Sequence, residues 1–292
     1  MVGSLRTLVS GAFDYAGLFP PASLNMASAV QEYVALRASD PGILMSRFVC
    51  PIDALGDFWS EASKTSVDEW SLTVLGSGMT GLRADLETLQ RFEEQTSGRA
   101  NVEGYEIRAS GPGDVRPELL KPLANAGFDE CFVEIPWVTE QPDLLHLLAE
   151  FEVIGAKVRM GGGDRFAYPA TADVATFLQE CINLDLAFKL TAGLHHPIRR
   201  KHPKIDAMEH GFLNVLMAAC LGLVDDLSRV EIERILADES ADRFWFREDD
   251  LGWGDFDATR EEVSDFRDLF AAIGSCSITD PYEDLRGLEL VR

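Results

Sequence analysis

The chain has only six lysines against twenty arginines, and two of the six, Lys157 and Lys189, interrupt short apolar runs. Lys189 stands in AFKLTAG between Phe188 and Leu190. A lysine in a desolvated pocket, or beside another cation, gives up its proton more easily and becomes a nucleophile. Otherwise the same side chain is a cationic anchor for a carboxylate. Other apolar runs are broken in the same way. Arg47 interrupts ILMSRFVC, Glu106 and Arg108 lie in GYEIRA, Glu134 in CFVEIP, and Lys157 with Arg159 in AKVRMG. Side chains alternate between the two faces of a strand, so Glu106 and Arg108 share a face, as do Lys157 and Arg159, and Lys189 and Thr191. A charge under a packed helix is costly. The charged faces therefore predict a shared interior, where five cations meet two carboxylates. Such a set suits a small anionic ligand, a phosphate or a carboxylate. A structural ion-pair network is the competing reading.

The ends of these runs carry further candidates. Arg159 leads into Gly161-Gly162-Gly163-Asp164, and Lys189 leads through Thr191 to His195-His196-Pro197. Gly274-Ser275-Cys276-Ser277 closes another run. Glycine-rich turns let backbone N–H groups approach an anion, so Gly161, Gly162, Gly163 and Ser275 are candidate substrate-binding positions, and tight turns otherwise. No G-x-x-x-x-G-K-[ST] phosphate loop is present. His195 or His196 suits general acid/base work at the mouth of the site. With Glu106 and Glu134 the pair could instead hold a metal, but H-x-H and H-E-x-x-H are both absent, and no cofactor is expected. His210 and Asn214, four apart, share a helix face; His146 reads as a surface residue. His202 belongs to the basic run 199–204, a solvated or anion-gathering loop.

Elements must position these residues. Strands are predicted at 43–50, 71–76, 104–109, 130–136, 156–161, 187–193, 244–248 and 273–278, with helix-length segments between most of them. Ser23 reads as the cap of a helix at 24–38. Alternation of this kind implies parallel strands with helical crossovers, and the best match is one (β/α)8 barrel domain over residues 1–292, barrels being typically about 250 residues long. A doubly wound open sheet is the runner-up, weakened by the missing G-x-G-x-x-G. Residues 1–40 are expected to be an N-terminal extension and helix, with GAFDYAGLFPPAS a lid or plug on a barrel mouth. Residues 244–248 would form the seventh strand, and Lys189 falls on the sixth. The aromatic and acidic run that follows, to Asp257, reads as a long solvated loop.

The segment KLTAGL, from Lys189 to Leu194, resembles the KTSTGF segment around the Schiff-base lysine of deoxyribose-phosphate aldolases, class I lysine aldolases built as barrels with that lysine on strand six. The resemblance implies an iminium at Lys189, Glu106 or Glu134 as acid/base, and a phosphate held by the glycine-rich turns. The family's second lysine, on strand seven, has no counterpart at 244–248, which offers Arg247. DYAGLFPPA and FKLTAGLHHP are similar to signatures of a bacterial protein group, a likeness that adds nothing to the mechanism.

With 49 acidic and 26 basic residues the formal charge is −23, which disfavours nucleic acid and anionic membrane surfaces as partners. Five scattered cysteines without a C-x-x-C predict reduced thiols. No secretory signal or spanning segment is read, so a cytoplasmic location is expected. A helix at 211–221 that is apolar nearly all round is expected to be buried, and raises a homo-oligomer as an option. The expected function is a barrel enzyme acting on a small anionic carbonyl compound, with lyase or aldolase-like chemistry. A metal-assisted hydrolase or isomerase and a non-catalytic anion-binding barrel are the alternatives.

Overall fold

A computed structural model describes residues 1–138 and 141–291. Eight parallel strands close into a barrel: β1 Phe13–Tyr15, β2 Met45–Pro51, β3 Trp70–Leu75, β4 Ala100–Arg108, β5 Glu130–Glu134, β6 Ile154–Arg159, β7 Phe188–Thr191 and β8 Phe270–Ser275. Each strand pairs with its neighbours in chain order, and β8 closes on β1 through Phe13↔Ile273 and Tyr15↔Ser275. The helices alternate with them: α1 Gly3–Val9 precedes β1, and α2 Met26–Arg37, α3 Leu55–Ala62, α4 Leu82–Thr96, α5 Pro117–Ala124, α6 Gln141–Leu148 and α7 Thr171–Asn183 follow β1 to β6 in turn. After β7 come α8 Phe212–Val224, α9 Arg229–Ala237 and α10 Arg260–Leu269, and α11 Thr279–Gly287 follows β8. The expected (β/α)8 barrel is thus present.

The strands form where apolar residues face the helices on alternate positions. Phe48 packs outward among Tyr33, Phe58 and Trp70, while its neighbours on β2 face the lumen. Helix starts follow capping chemistry. Ser228 with Glu231, and Thr259 with Glu262, make reciprocal capping boxes on α9 and α10. Asn25, not Ser23, caps α2, accepting from the Ser28 backbone N–H at 2.9 Å; Ser23 is two residues earlier with φ of 47°.

Two expectations are corrected. Residues 1–40 are not an extension. They supply α1, β1 and α2, and only the loop at 16–25 lies at a barrel mouth, as the βα loop after β1. Three residues, all buried, are too few to display a period of two, so Phe13-Asp14-Tyr15 did not read as a strand. Residues 244–248 are not the seventh barrel strand. Phe244–Phe246 opens a separate antiparallel sheet with Asp250–Trp253 and Phe256–Thr259, packed against α1, α8 and α10, so the expected loop is a folded meander. The strand count therefore moves by one, and Lys189 lies on β7.

Residues Phe212–Gly222 of α8 are all buried within the chain, against α7, α9, α10 and the meander. Intramolecular packing accounts for that apolar periphery without a second subunit. All five cysteines are free and buried. No helix among the described residues is long and apolar enough to cross a membrane.

Candidate functional site

Asp14, Thr73, Glu106, Glu134, Lys157 and Lys189 face the lumen, each flanked on its strand by residues that pack outward. Their charges join in one chain. Asp14 pairs with Lys189. Lys189 Nζ lies 2.6 Å from Glu106 Oε1, and Lys157 Nζ lies 2.6 Å from Glu106 Oε2. Lys157 Nζ also lies 2.9 Å from Glu134 Oε2. The other Glu134 oxygen, Oε1, faces Arg108 Nε at 3.5 Å and Arg159 Nη1 at 3.9 Å. Exposure falls steadily along this chain: 74% and 48% for the side chains of Arg108 and Arg159, 9% for Glu134, 7% for Lys157, 4% for Glu106, 1% for Lys189 and 0% for Asp14. The chain is a single file from solvent at the C-terminal strand ends down into the lumen. In barrel enzymes the chemistry sits at that end.

Local structure holds each member. Arg108, Glu134 and Arg159 are the last residues of β4, β5 and β6, and register places Arg108 beside Glu134, Glu134 beside Lys157, and Lys157 beside Lys189. Asp14 is fixed from three sides, accepting from Thr73 Oγ1 at 2.7 Å and from the Arg47 backbone N–H at 3.1 Å besides its pair with Lys189. Phe132 lies under Lys189, 5.8 Å from the ammonium to the ring centroid. Trp137 donates its indole N–H to the Arg159 carbonyl at 2.6 Å and pins the end of β6.

Burial opposes the charge of Lys189, but Asp14 and Glu106 outweigh it and hold the ammonium above the ordinary lysine range. Burial likewise opposes ionisation of Glu106, but Lys157 and Lys189 outweigh it and hold that carboxyl down at about 2. The resting site is therefore a set of ion pairs, not a free amine beside a free acid.

Arg47 stands apart from this set. It pairs with Glu103 at 3.0 Å and with Glu130 near the N-terminal ends of β4 and β5, so its charge is spent at the opposite end of the barrel. A cavity of about 330 Å³ opens at that end between Tyr33, Met45, Ser71 and Glu103, and no member of the ion chain lines it. The lumen is not the predominantly positive pocket that the strand pattern predicts. Asp14, which sequence reading missed, brings the buried part to two cations against three carboxylates.

Polar groups beside the glycine-rich turns find partners within those turns. Asp164 caps the turn after Gly163, accepting from the Phe166 N–H at 2.8 Å. Tyr168 lies across Gly161. The Ser275 hydroxyl donates to the Ser277 carbonyl at 2.7 Å, and the Asp280 N–H is taken by Ser277 Oγ at 3.2 Å. Thr191 Oγ1 lies 3.5 Å from the Gly274 carbonyl.

His195 and His196 keep different company from the lumen carboxylates. His196 Nδ1 pairs with Asp284 of α11, and its Nε2 lies 4.0 Å from Glu209. Burial holds the His195 imidazole below its ordinary range. Glu209 also faces Arg200 at 3.4 Å and His202 Nε2 at 3.7 Å. His202 Nδ1 accepts from the Lys204 and Ile205 N–H groups, so its Nε2 carries the proton and cannot ligate a metal. Among the described residues no group of three or more His, Cys, Asp or Glu is arranged to hold a metal ion. His146 is exposed beside Glu180.

The fold and site define a (β/α)8 barrel with a depth-ordered ion chain beneath two mouth arginines. Comparison of the chain with protein-family models, curated proteins and solved structures returned no match.

Proposed function

We propose that this barrel is an enzyme acting on a small anionic carbonyl compound, by carbon–carbon lyase chemistry. The observation that supports this most is the depth order of the ion chain: cationic arginines at the mouth, then a carboxylate, an ammonium and a second carboxylate within reach of one another. In this reading the arginines hold the anion. Lys157, the less buried of the two lysines, meets the carbonyl, and Lys189 is the deeper partner that fixes Glu106. This moves the reacting amine from Lys189 to its neighbour on β6.

Lys157 hands a proton to Glu134 or Glu106, and its Nζ attacks the carbonyl carbon. The carbonyl oxygen takes up two protons and leaves as water, giving an iminium. A carboxylate then removes the proton of the β-hydroxyl. The bond between the α and β carbons breaks, its electron pair moves toward the iminium, and an enamine and a free carbonyl product result. Protonation of the enamine and addition of water return the amine.

Borohydride trapping with candidate aldehydes and oxo acids, followed by peptide mapping, tests the amine step. A reduced adduct on Lys157 is the expected result, absent in Lys157→Met. No adduct on either lysine with any carbonyl compound removes the iminium mechanism.

A second reading is favoured by the full pairing of Lys189: a non-catalytic barrel that binds an anion. In that case Glu134→Gln changes anion binding and no turnover is found in any screen.

A further inference from the structure

We infer that the anion this site recognises is a carboxylate placed next to the reacting carbonyl, so that the substrate is a 2-oxo acid, and for cleavage a 4-hydroxy-2-oxo acid. The inference rests on the proposed carbonyl chemistry and adds the substrate class. It comes from the two oxygens of Glu134. One faces Arg108 and Arg159 at 3.5 and 3.9 Å; the other faces Lys157 at 2.9 Å. The gap between the anion grip and the amine is thus the width of one carboxylate. A ligand that satisfies both at once must carry its anionic oxygen and its carbonyl carbon on adjacent atoms.

Charge points the same way. Asp14, Glu106 and Glu134 against Lys157, Lys189, Arg108 and Arg159 leave one positive charge, which suits a monoanion. A phosphate is close to a dianion near neutral pH, more charge than the site leaves unpaired. The arginines contact Glu134 only at long range and are well exposed, so they are free to turn onto a ligand. Guanidinium groups favour the bidentate geometry that a carboxylate offers.

Cleavage of the proposed substrate balances without a further reactant. Loss of the 4-hydroxyl proton to Glu134 or Glu106 and rupture of the C3–C4 bond give an aldehyde and the enamine of the shorter 2-oxo acid. Protonation and hydrolysis then release that acid.

Binding of pyruvate, inorganic phosphate and dihydroxyacetone phosphate to the full chain, measured by calorimetry and combined with borohydride trapping, tests the inference. Pyruvate is expected to bind and to be trapped on Lys157. Arg108→Gln and Arg159→Gln, both at exposed positions, are each expected to weaken pyruvate about tenfold or more. Phosphate and dihydroxyacetone phosphate are expected to bind no more tightly to the wild type than to the double variant. If a phosphate compound outbinds pyruvate and depends on the arginines, the carboxylate assignment is overturned while the anionic-carbonyl reading survives. Pyruvate binding that is indifferent to both arginines also overturns it. If none of the three binds, the inference and the reading beneath it fall together.

Discussion

Lys157 and Lys189 are register partners on adjacent strands, and the Glu106 carboxylate lies between their ammonium groups with one oxygen 2.6 Å from each. Two like charges are held side by side because a single buried anion screens both. Replacing it with a neutral isostere should therefore cost more than the loss of a hydrogen bond. Glu106→Gln is expected to destabilise the fold by about 3–5 kcal/mol, the usual range for stripping a partner from a buried charge. Urea denaturation measures this. The double change Glu106→Gln with Lys157→Met should recover part of the loss, because the repulsion between two ammonium groups that Glu106 no longer separates is gone.

Glu106 also sets an acid limit. Its carboxyl is held at about 2 in the fold, below the ordinary glutamate value. A depressed carboxyl contributes stability that is present above the unfolded value of about 4.3 and is lost as pH falls through the folded one. Stability should therefore decline between those two values, and Glu106→Gln should flatten that part of the profile. An unchanged slope in the variant would assign the acid limit to other groups.

His210 should act in a separate window. Burial pushes its imidazole down to about 4, with Arg199 adding to the effect, and its Nε2–H donates to the Pro169 carbonyl at 2.8 Å. Above about 6.5 the ring is neutral in both folded and unfolded chains. Below that the unfolded chain takes up a proton that the folded one refuses, so stability falls until about 4, by roughly 3 kcal/mol in all. Urea midpoints followed from pH 7 to 4 check this. In His210→Gln the decline over that interval should shrink to the share that His195, also held down by burial, contributes, although the variant begins from a lower plateau.

The lumen was legible because the period of a strand is two. Glu106, Glu134, Lys157, Lys189, Arg108 and Arg159 each break an apolar run, and alternation alone assigns them to one face. The barrel gathers these six together. Depth along the axis was not legible. Arg47 is on the same kind of face, yet it lies at the other end of the barrel, because strand stagger, which residue pattern does not encode, decides which charges meet. Asp14 escaped notice for a different reason. Its strand is three residues long and runs directly into a proline-rich loop. Phe244–Phe246 has the apolar content of a barrel strand, but only its antiparallel pairing with Asp250–Trp253 reveals that it belongs elsewhere.

Asp14 closes the deep end of the chain, and its charge should matter more than its shape. Asn keeps Oδ1 as the acceptor for the Arg47 N–H, puts an amide nitrogen where Oδ2 stood so that the Thr73 hydroxyl must turn and accept, and removes one of the two anions on Lys189. Asp14→Asn is expected to destabilise the fold by about 3 kcal/mol at pH 7. Asp14→Ala should cost more, since it also leaves those two donors without an acceptor. The pH dependence carries the sharper test. In the wild type Lys189 has a raised folded value, so its contribution is complete below the unfolded lysine value of about 10.4 and is lost as pH rises through the folded one. In the variant burial opposes the ammonium with one counter-ion fewer, and rising pH relieves that penalty. The stability gap between wild type and Asp14→Asn should therefore narrow from pH 7 toward 10.5, as read by urea midpoints across that interval. A gap that stays constant would mean that Asp14 supports β1 by its hydrogen bonds alone and does not set the charge of Lys189.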